Sequence, residues 1–178
     1  MLHNSNSKKI ILYAPTFSPS LTSAPHLLTQ IEELAKSKEY LIVIKFHDLM
    51  AADLIDSYKK LSMRFENVLF IEERNIIKYL LIADLMISDT SSVVYEFLLL
   101  DKPVITFKNN SHVINWDNQL SFSSLMKRVA KNLIEDPFKE QRLKILKEYH
   151  PYTDGNSAKR MVEAVEEYIK KNGVPEKR

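Results

Sequence analysis

Residues 83–107, ADLMISDTSSVVYEFLLLDKPVITF, constrain the fold of this chain more than any other stretch. They read as a short apolar strand, a turn of hydroxyl-bearing residues, an amphipathic helix and a second apolar strand. Two apolar strands joined through a helix run parallel, because the helix must cross one face of the sheet before the chain returns. Parallel strands are covered on both faces, so they carry continuous apolar runs rather than strict alternation.

The same alternation recurs along the chain. Strands are expected at residues 9–14, 40–46, 68–71, 85–88 and 104–107, and helices at 26–36, 51–63, 75–83 and 91–100. This pattern predicts an α/β fold, a Rossmann-like parallel sheet of about five strands with flanking helices. After Phe107 the periodicity turns helical, with helices expected at 122–134, 138–149 and 157–171. In the last of these, Ala158, Met161, Val162, Val165, Tyr168 and Ile169 recur at three-four spacing, and Asn156 or Asp154 is the expected cap. A length of 178 residues suits one domain. Residues 9–171 are expected to form it, with frayed ends at 1–8 and 172–178.

Composition removes whole classes of function. Gly155 and Gly173 are the only two glycines, which excludes the glycine-rich dinucleotide fingerprint and the P-loop. Any phosphate must be held by hydroxyls, basic side chains and a helix start. The 25 basic residues nearly balance the 23 acidic ones, so no net field directs the chain to nucleic acid. No cysteine occurs, which excludes disulfides and thiolate metal sites and fits a reducing compartment. No histidine or carboxylate spacing marks a metal site, and no cofactor is expected. No apolar run approaches the ~18 residues of a membrane span. The start MLHNSNSKK lacks a signal-peptide core, so a soluble, cytoplasmic protein is expected.

In an open parallel sheet the carboxyl ends of the strands share one edge, and ligands collect there. Thr16, Phe17 and Ser18 follow the first expected strand, Lys45 and His47 end the second, and Asp89, Thr90, Ser91 and Ser92 follow the fourth. Their convergence argues for a phosphate site, since rotatable hydroxyls and free N–H groups at a helix start suit phosphate oxygens. The plain alternative for the serines is helix capping, for which one residue is enough. His47 is either a loop histidine paired with Asp48 or a cation and proton donor aimed at a diphosphate. Lys45 alternates with His47 and shares its side of the strand. Glu96, one turn beyond Ser92, either reaches a ribose hydroxyl or is a solvated helix acid. His112, Asn115 and Trp116 lie in a polar loop placed to cover a base. Asp154, Gly155, Asn156 and Ser157 form a further polar cluster before the last helix.

Together these residues resemble the CDP-glycerol glycerophosphotransferase family, the teichoic-acid primases and polymerases. Tyr13-Ala14-Pro15-Thr16-Phe17 matches its Y-x-P-T-W/F pattern, and Lys45-Phe46-His47 matches K-x-H-P with Asp48 in place of proline. The block from Ala83 to Glu96 matches A-D-x-x-I-[ST]-D-Y-S-S-x-x-[YF]-[DE], with Thr90 replacing the usual tyrosine. Asp101 to Ile105 matches D-K-P-V-I, and Asp154-Gly155 with Arg160 matches D-G-x-x-x-x-R. The resemblance implies the nucleotide-binding half of a two-domain GT-B transferase that moves glycerol phosphate from CDP-glycerol to a hydroxyl of a growing polymer, releasing CMP. It implies diphosphate binding by Ser91 and Ser92, charge neutralisation or assistance to transfer by His47, and Thr16 in the same pocket. Asp154 and Arg160 would help close the donor site. The implied partners are a nucleotide-diphosphate polyol donor and a missing amino-terminal acceptor domain or partner chain, through which the enzyme would reach the inner face of a membrane. Asp48 would repel a diphosphate unless it turns away, or it would orient His47 and raise its pKa.

Two other readings share parts of this pattern. The donor-binding half of a nucleotide-sugar glycosyltransferase or epimerase has the same architecture and a similar diphosphate turn. A flavodoxin-like module would use the loop from Thr16 to Ser23 for a flavin phosphate, although Pro15, Pro19 and Pro25 remove N–H donors from that region.

Overall fold

Six parallel strands form one sheet in the order β3-β2-β1-β4-β5-β6. In chain order they are β1 (Lys9–Tyr13), β2 (Tyr40–Lys45), β3 (Val68–Ile71), β4 (Leu85–Ser88), β5 (Val104–Phe107) and β6 (Asp117–Gln119). The helices are α1 (Ala24–Ser37), α2 (Ala52–Arg64), α3 (Ile77–Ile82), α4 (Val93–Leu98), α5 (Leu125–Ile134), α6 (Lys139–Tyr149) and α7 (Ser157–Asn172). The computed structural model describes residues 8–109 and 116–174. The polar-loop residues His112 and Asn115, residues 1–7 and the last four residues lie outside them.

Side chains alternate between two buried faces, as strand geometry requires. Ile11, Tyr13, Ile42, Ile44, Leu85, Ile87, Ile105 and Phe107 face one layer with residues of α1, α2 and α5. Leu12, Val43, Met86 and Val104 face the other with Leu80, Val94, Phe97, Leu98 and Ile145 from α3, α4 and α6. The chain runs outward from β1 in both directions, so the sheet order reverses between β1 and β4. That reversal opens a crevice at the carboxyl ends of the two strands.

One carboxylate organises the crevice. Asp89, fully buried at the end of β4, accepts hydrogen bonds from the Thr16 N–H at 2.8 Å, the Ser23 N–H at 2.7 Å and the Ser23 hydroxyl at 2.8 Å. It therefore clamps both ends of the loop between β1 and α1. Ser23 stands at the cap position of α1 without capping it, since its hydroxyl is committed to Asp89 and lies 3.0 Å from the Tyr13 hydroxyl. Burial raises the Asp89 pKa against the lowering effect of these donors.

Several expectations need correction. β6 was not expected, because the sequence after Phe107 reads as helix and loop. Its side chains bond rather than pack: Asp117 accepts from Asn132 at 2.7 Å, and Asn118 accepts from Thr106 at 2.8 Å. A strand stabilised in this way has no apolar signature. The expected helix at 91–100 shortens to the six residues of α4, and Asn75 accepts the Ile77 N–H at 2.9 Å, so α3 starts two residues late. α5 begins at Leu125 after Ser124, whose φ is 64°. Neither expected residue caps α7 by its side chain, and Asp154 instead accepts the Asn156 N–H at 3.1 Å. The apolar face of α7 is exposed from Met161 to Ile169, and none of its residues is buried.

α6 is held by Arg142, which is 1% exposed yet fully charged. Its guanidinium donates to Asp101 at 2.9 Å and to Asp136 at 2.8 Å, joining α6 to the turn before β5 and to the end of α5. Arg142→Ala should cost about 3 kcal/mol, the low end for breaking a buried ion pair, because both acids reach solvent. Urea denaturation measures this, and Arg142→Lys should recover only part of it. Asp89→Asn should cost about 2 kcal/mol in the same measurement, since an amide N–H would face donors already in place. An unchanged midpoint for Asp89→Asn would show that the loop holds without the clamp.

Candidate functional site

The site grows from the end of β2. Phe46 is buried among aromatic rings, 4.9 Å from Tyr58, 5.6 Å from Phe70 and 6.0 Å from Tyr13 between centroids. Edge-on contacts of this kind fix the ring and with it the strand end. The residues on either side of Phe46 then project into the crevice. Lys45 is buried and donates from Nζ to the Phe46 carbonyl at 2.5 Å. His47 is exposed and its ring lies 4.5 Å from that of Phe17, which the Asp89 clamp holds through neighbouring Thr16.

The Leu49 N–H donates to His47 Nδ1 at 3.1 Å. An accepting Nδ1 carries no proton, so in neutral His47 the hydrogen sits on Nε2. This arrangement makes the imidazole a hydrogen-bond donor at Nε2. A base accepting a proton there would need Nδ1–H, which would oppose the Leu49 N–H.

Lys45 and His47 line a cavity of about 210 Å³ with Ala14, Pro15, Ser91, Ser92, Glu96 and, from the loop after β3, Arg74. It sits at the carboxyl ends of β1, β2 and β4, on the crevice where the strand order reverses. Neither Ser91 nor Ser92 supplies a side-chain cap to α4, so the capping alternative for these serines is set aside. With α4 only six residues long, its dipole contributes less than a long helix would. The positive character of the cavity comes instead from Lys45 and Arg74. A second cavity of about 160 Å³, lined by Lys45, His47, Asp48, Lys59, Phe70 and Glu72, adjoins the first across His47.

The expected site residues therefore divide. Lys45, His47, Ser91, Ser92 and Glu96 come together around one cavity. Asp89 and Thr16 do not line it and instead build its wall through the clamp. The Thr90 hydroxyl is buried with no hydrogen-bond partner among the described residues. Asp154 and Arg160 also lie away from the cavity lining. They bond to each other at 2.5 and 2.8 Å, with the guanidinium 3.9 Å above the Tyr152 ring, and Arg160 holds the Asp154 carboxyl far below its usual pKa. Asp48 turns to Arg74, whose Nε lies 2.9 Å from its carboxylate. Arg74 escaped the sequence reading because it belongs to no periodic element. The signal was its place after a strand, since the carboxyl end of β3 shares the same sheet edge.

No group of three or more metal-ligating side chains occurs among the described residues. No helix among them is long and apolar enough to cross a membrane.

Known proteins share this architecture. The wall teichoic acid polymerase TagF, in a variant soaked with CDPG, superposes with a TM-score of 0.63 at 19% identity over 96% of this chain and 44% of that one. A UDP-GlcNAc 2-epimerase from Neisseria meningitidis, bound to UDP-GlcNAc, gives 0.63 at 20% identity over 91% of this chain and 45% of that one. Both likenesses fit one Rossmann-like half of a GT-B architecture. In sequence, the teichoic acid glycerol-phosphate primase of Bacillus subtilis (strain 168) is 27% identical over 93% of this chain and 45% of its own length. The teichoic acid ribitol-phosphate polymerase TarL of Staphylococcus aureus (strain NCTC 8325 / PS 47) is 30% identical over 87% of this chain and 30% of its own length. The chain thus spans less than half the length of these relatives. Residues 2–114, which carry the cavity and the clamp, match the CDP-glycerol:poly(glycerophosphate) glycerophosphotransferase family, and the chain belongs to it.

Proposed function

We propose that this chain is the donor-binding domain of a polyol-phosphate transferase of surface-polymer synthesis. Its cavity takes CDP-glycerol or a related CDP-polyol, and a second domain or a partner chain brings the acceptor hydroxyl. The observation that carries this reading is the meeting of Lys45, the Nε2–H of His47 and the Ser91 and Ser92 hydroxyls in one cavity of a chain of this family. Phosphoryl transfer needs positioning and charge stabilisation more than covalent help from the protein, and these groups provide both.

In the reaction the acceptor oxygen bonds to the phosphorus of the polyol phosphate. The bond from that phosphorus to the bridging oxygen breaks, and the electron pair leaves with CMP. Lys45 and the serine hydroxyls hold the diphosphate oxygens. His47 Nε2–H donates to the oxygen on which charge develops, while Glu96 stands one turn along α4 for a ribose hydroxyl. The acceptor's proton is taken outside this cavity, because His47 is held as a donor. The uncovered apolar face of α7 and the short span against the relatives support a second body beside this one. The proposed setting is the cytoplasm, at the inner face of the membrane where the complete enzyme meets its acceptor.

Calorimetric titration tests the reading. CDP-glycerol, CDP and CMP should bind, and Ser91→Ala with Ser92→Ala should weaken CDP at least about tenfold, as expected for losing hydrogen bonds to a charged group. His47→Gln keeps a donor near Nε2, whereas His47→Asn keeps only an acceptor near Nδ1, so the asparagine should be the weaker binder. Preference for UDP-N-acetylglucosamine would move the chain to nucleotide-sugar chemistry. Binding of FMN in place of cytidine nucleotides would move it to a flavodoxin-like module.

A further inference from the structure

Arg74 and Asp48 meet across the mouth of the cavity, from two loops that the sheet brings together. Arg74 follows β3 and Asp48 follows β2, and the Arg74 side chain is 90% exposed and the Asp48 side chain 46%. Arg74 also lines the cavity that holds Ser91 and Ser92, while Asp48 lines the adjoining one. The neighbouring acids of the same loop have other partners, Glu72 with Lys59 at 2.5 Å and Glu73 with Lys78 at 2.6 Å. Asp48 is thus the acid that holds Arg74.

The pair with Asp48 offsets part of the positive character of the cavity. Lys45 and Arg74 are positive, and Asp48 and Glu96 are negative. Lys45 bonds to a carbonyl and keeps its charge, so a diphosphate entering here gains a second free cation only if the pair between Arg74 and Asp48 opens. The exposed pair between Arg74 and Asp48 is the one that opens easily, because both groups regain water when they part. A guanidinium carries a planar fork of donors that matches phosphate oxygens in pairs, which a lysine does not offer.

We propose that Arg74 is a specificity-determining residue for the nucleoside diphosphate and that Asp48 is its keeper. The incoming diphosphate takes the guanidinium from Asp48, and the released carboxylate turns to solvent. The exchange sets how strongly a diphosphate is preferred over other anions, since only a ligand with enough charge and suitable oxygens displaces a carboxylate already in place. This inference rests on the donor-binding reading and adds the residue pair that controls entry.

A double-mutant cycle on the full chain tests it, with CDP and UDP as probes in calorimetry at low salt. Arg74→Ala should weaken CDP about tenfold, the loss of a charge-assisted contact. Asp48→Asn should tighten CDP about threefold, and added salt should erase the gain. In the Arg74→Ala background, Asp48→Asn should change nothing. Equal tightening in both backgrounds would overturn the proposal, because Asp48 would then act only as a nearby negative charge. Weaker binding by Asp48→Asn would also overturn it, because Asp48 would then position Arg74 for the ligand rather than withhold it. Binding that depends on Ser91 and Ser92 but not on Arg74 would defeat this inference and leave the donor reading standing. Failure of wild type and Asp48→Asn to bind either nucleotide would defeat both.

Discussion

The site depends on a carboxylate that does not enter it. Asp89 gathers the Thr16 N–H and both donors of Ser23 into a buried pocket at the end of β4. Three donors on one buried carboxylate are strong enough to hold a loop whose backbone has few other partners. Because Thr16 is fixed, Phe17 lies against His47 with the rings tilted, and because Ser23 is fixed, α1 starts where Tyr58 reaches the Ala24 carbonyl at 2.9 Å. The clamp also joins β1 to β4 beyond their last paired residues, beside the Ser88 hydroxyl that donates to the Ala14 carbonyl at 2.7 Å. Both sides of the crevice between those two strands are therefore tied by hydrogen bonds.

A chain with two glycines cannot cradle phosphate in the usual way, by bringing bare backbone close to the oxygens. On the proposed reading, side chains take over that task. Lys45 lies beneath the cavity, removed from bulk water, where its charge is screened less than that of an exposed lysine. Its Nζ bonds to a carbonyl rather than to a carboxylate, and that hydrogen bond leaves its positive charge unneutralised. The serines add rotatable donors, and Arg74 adds an exposed cation at the rim.

How much of this was legible follows from what each residue does. The strands at 85–88 and 104–107 were readable to the residue, because both faces of each are buried and each run is largely apolar. β6 was not, because Asp117 and Asn118 are satisfied by the side chains of Asn132 and Thr106, and such bonds leave no pattern in one stretch of sequence. Lys45, His47, Ser91, Ser92 and Glu96 were legible as a group because a parallel sheet puts their strand ends on one edge. Asp89 was legible as important but not as structural, since a polar turn residue reads the same whether it faces ligand or loop. Asp154 and Arg160 were named through family likeness. Six residues apart at the start of a helix, they pair with each other instead of reaching the cavity.

His47 shows why this half of the site is incomplete on the proposed reading. The Leu49 N–H favours the tautomer with its hydrogen on Nε2, which on that reading suits the imidazole to donate to a departing phosphate rather than to take the acceptor's proton. It is also exposed, and a hydrogen bond made in open water loses most of its worth to competing solvent. A donor group of this kind becomes effective when another surface closes over it and removes the water. The same holds for Arg74, whose charge is largely screened while its side chain stands in solvent. On the proposed reading a second body would do more than carry the acceptor: by excluding water from the mouth of the cavity, it would give His47 and Arg74 the low-dielectric setting in which a donor and a cation favour a transition state.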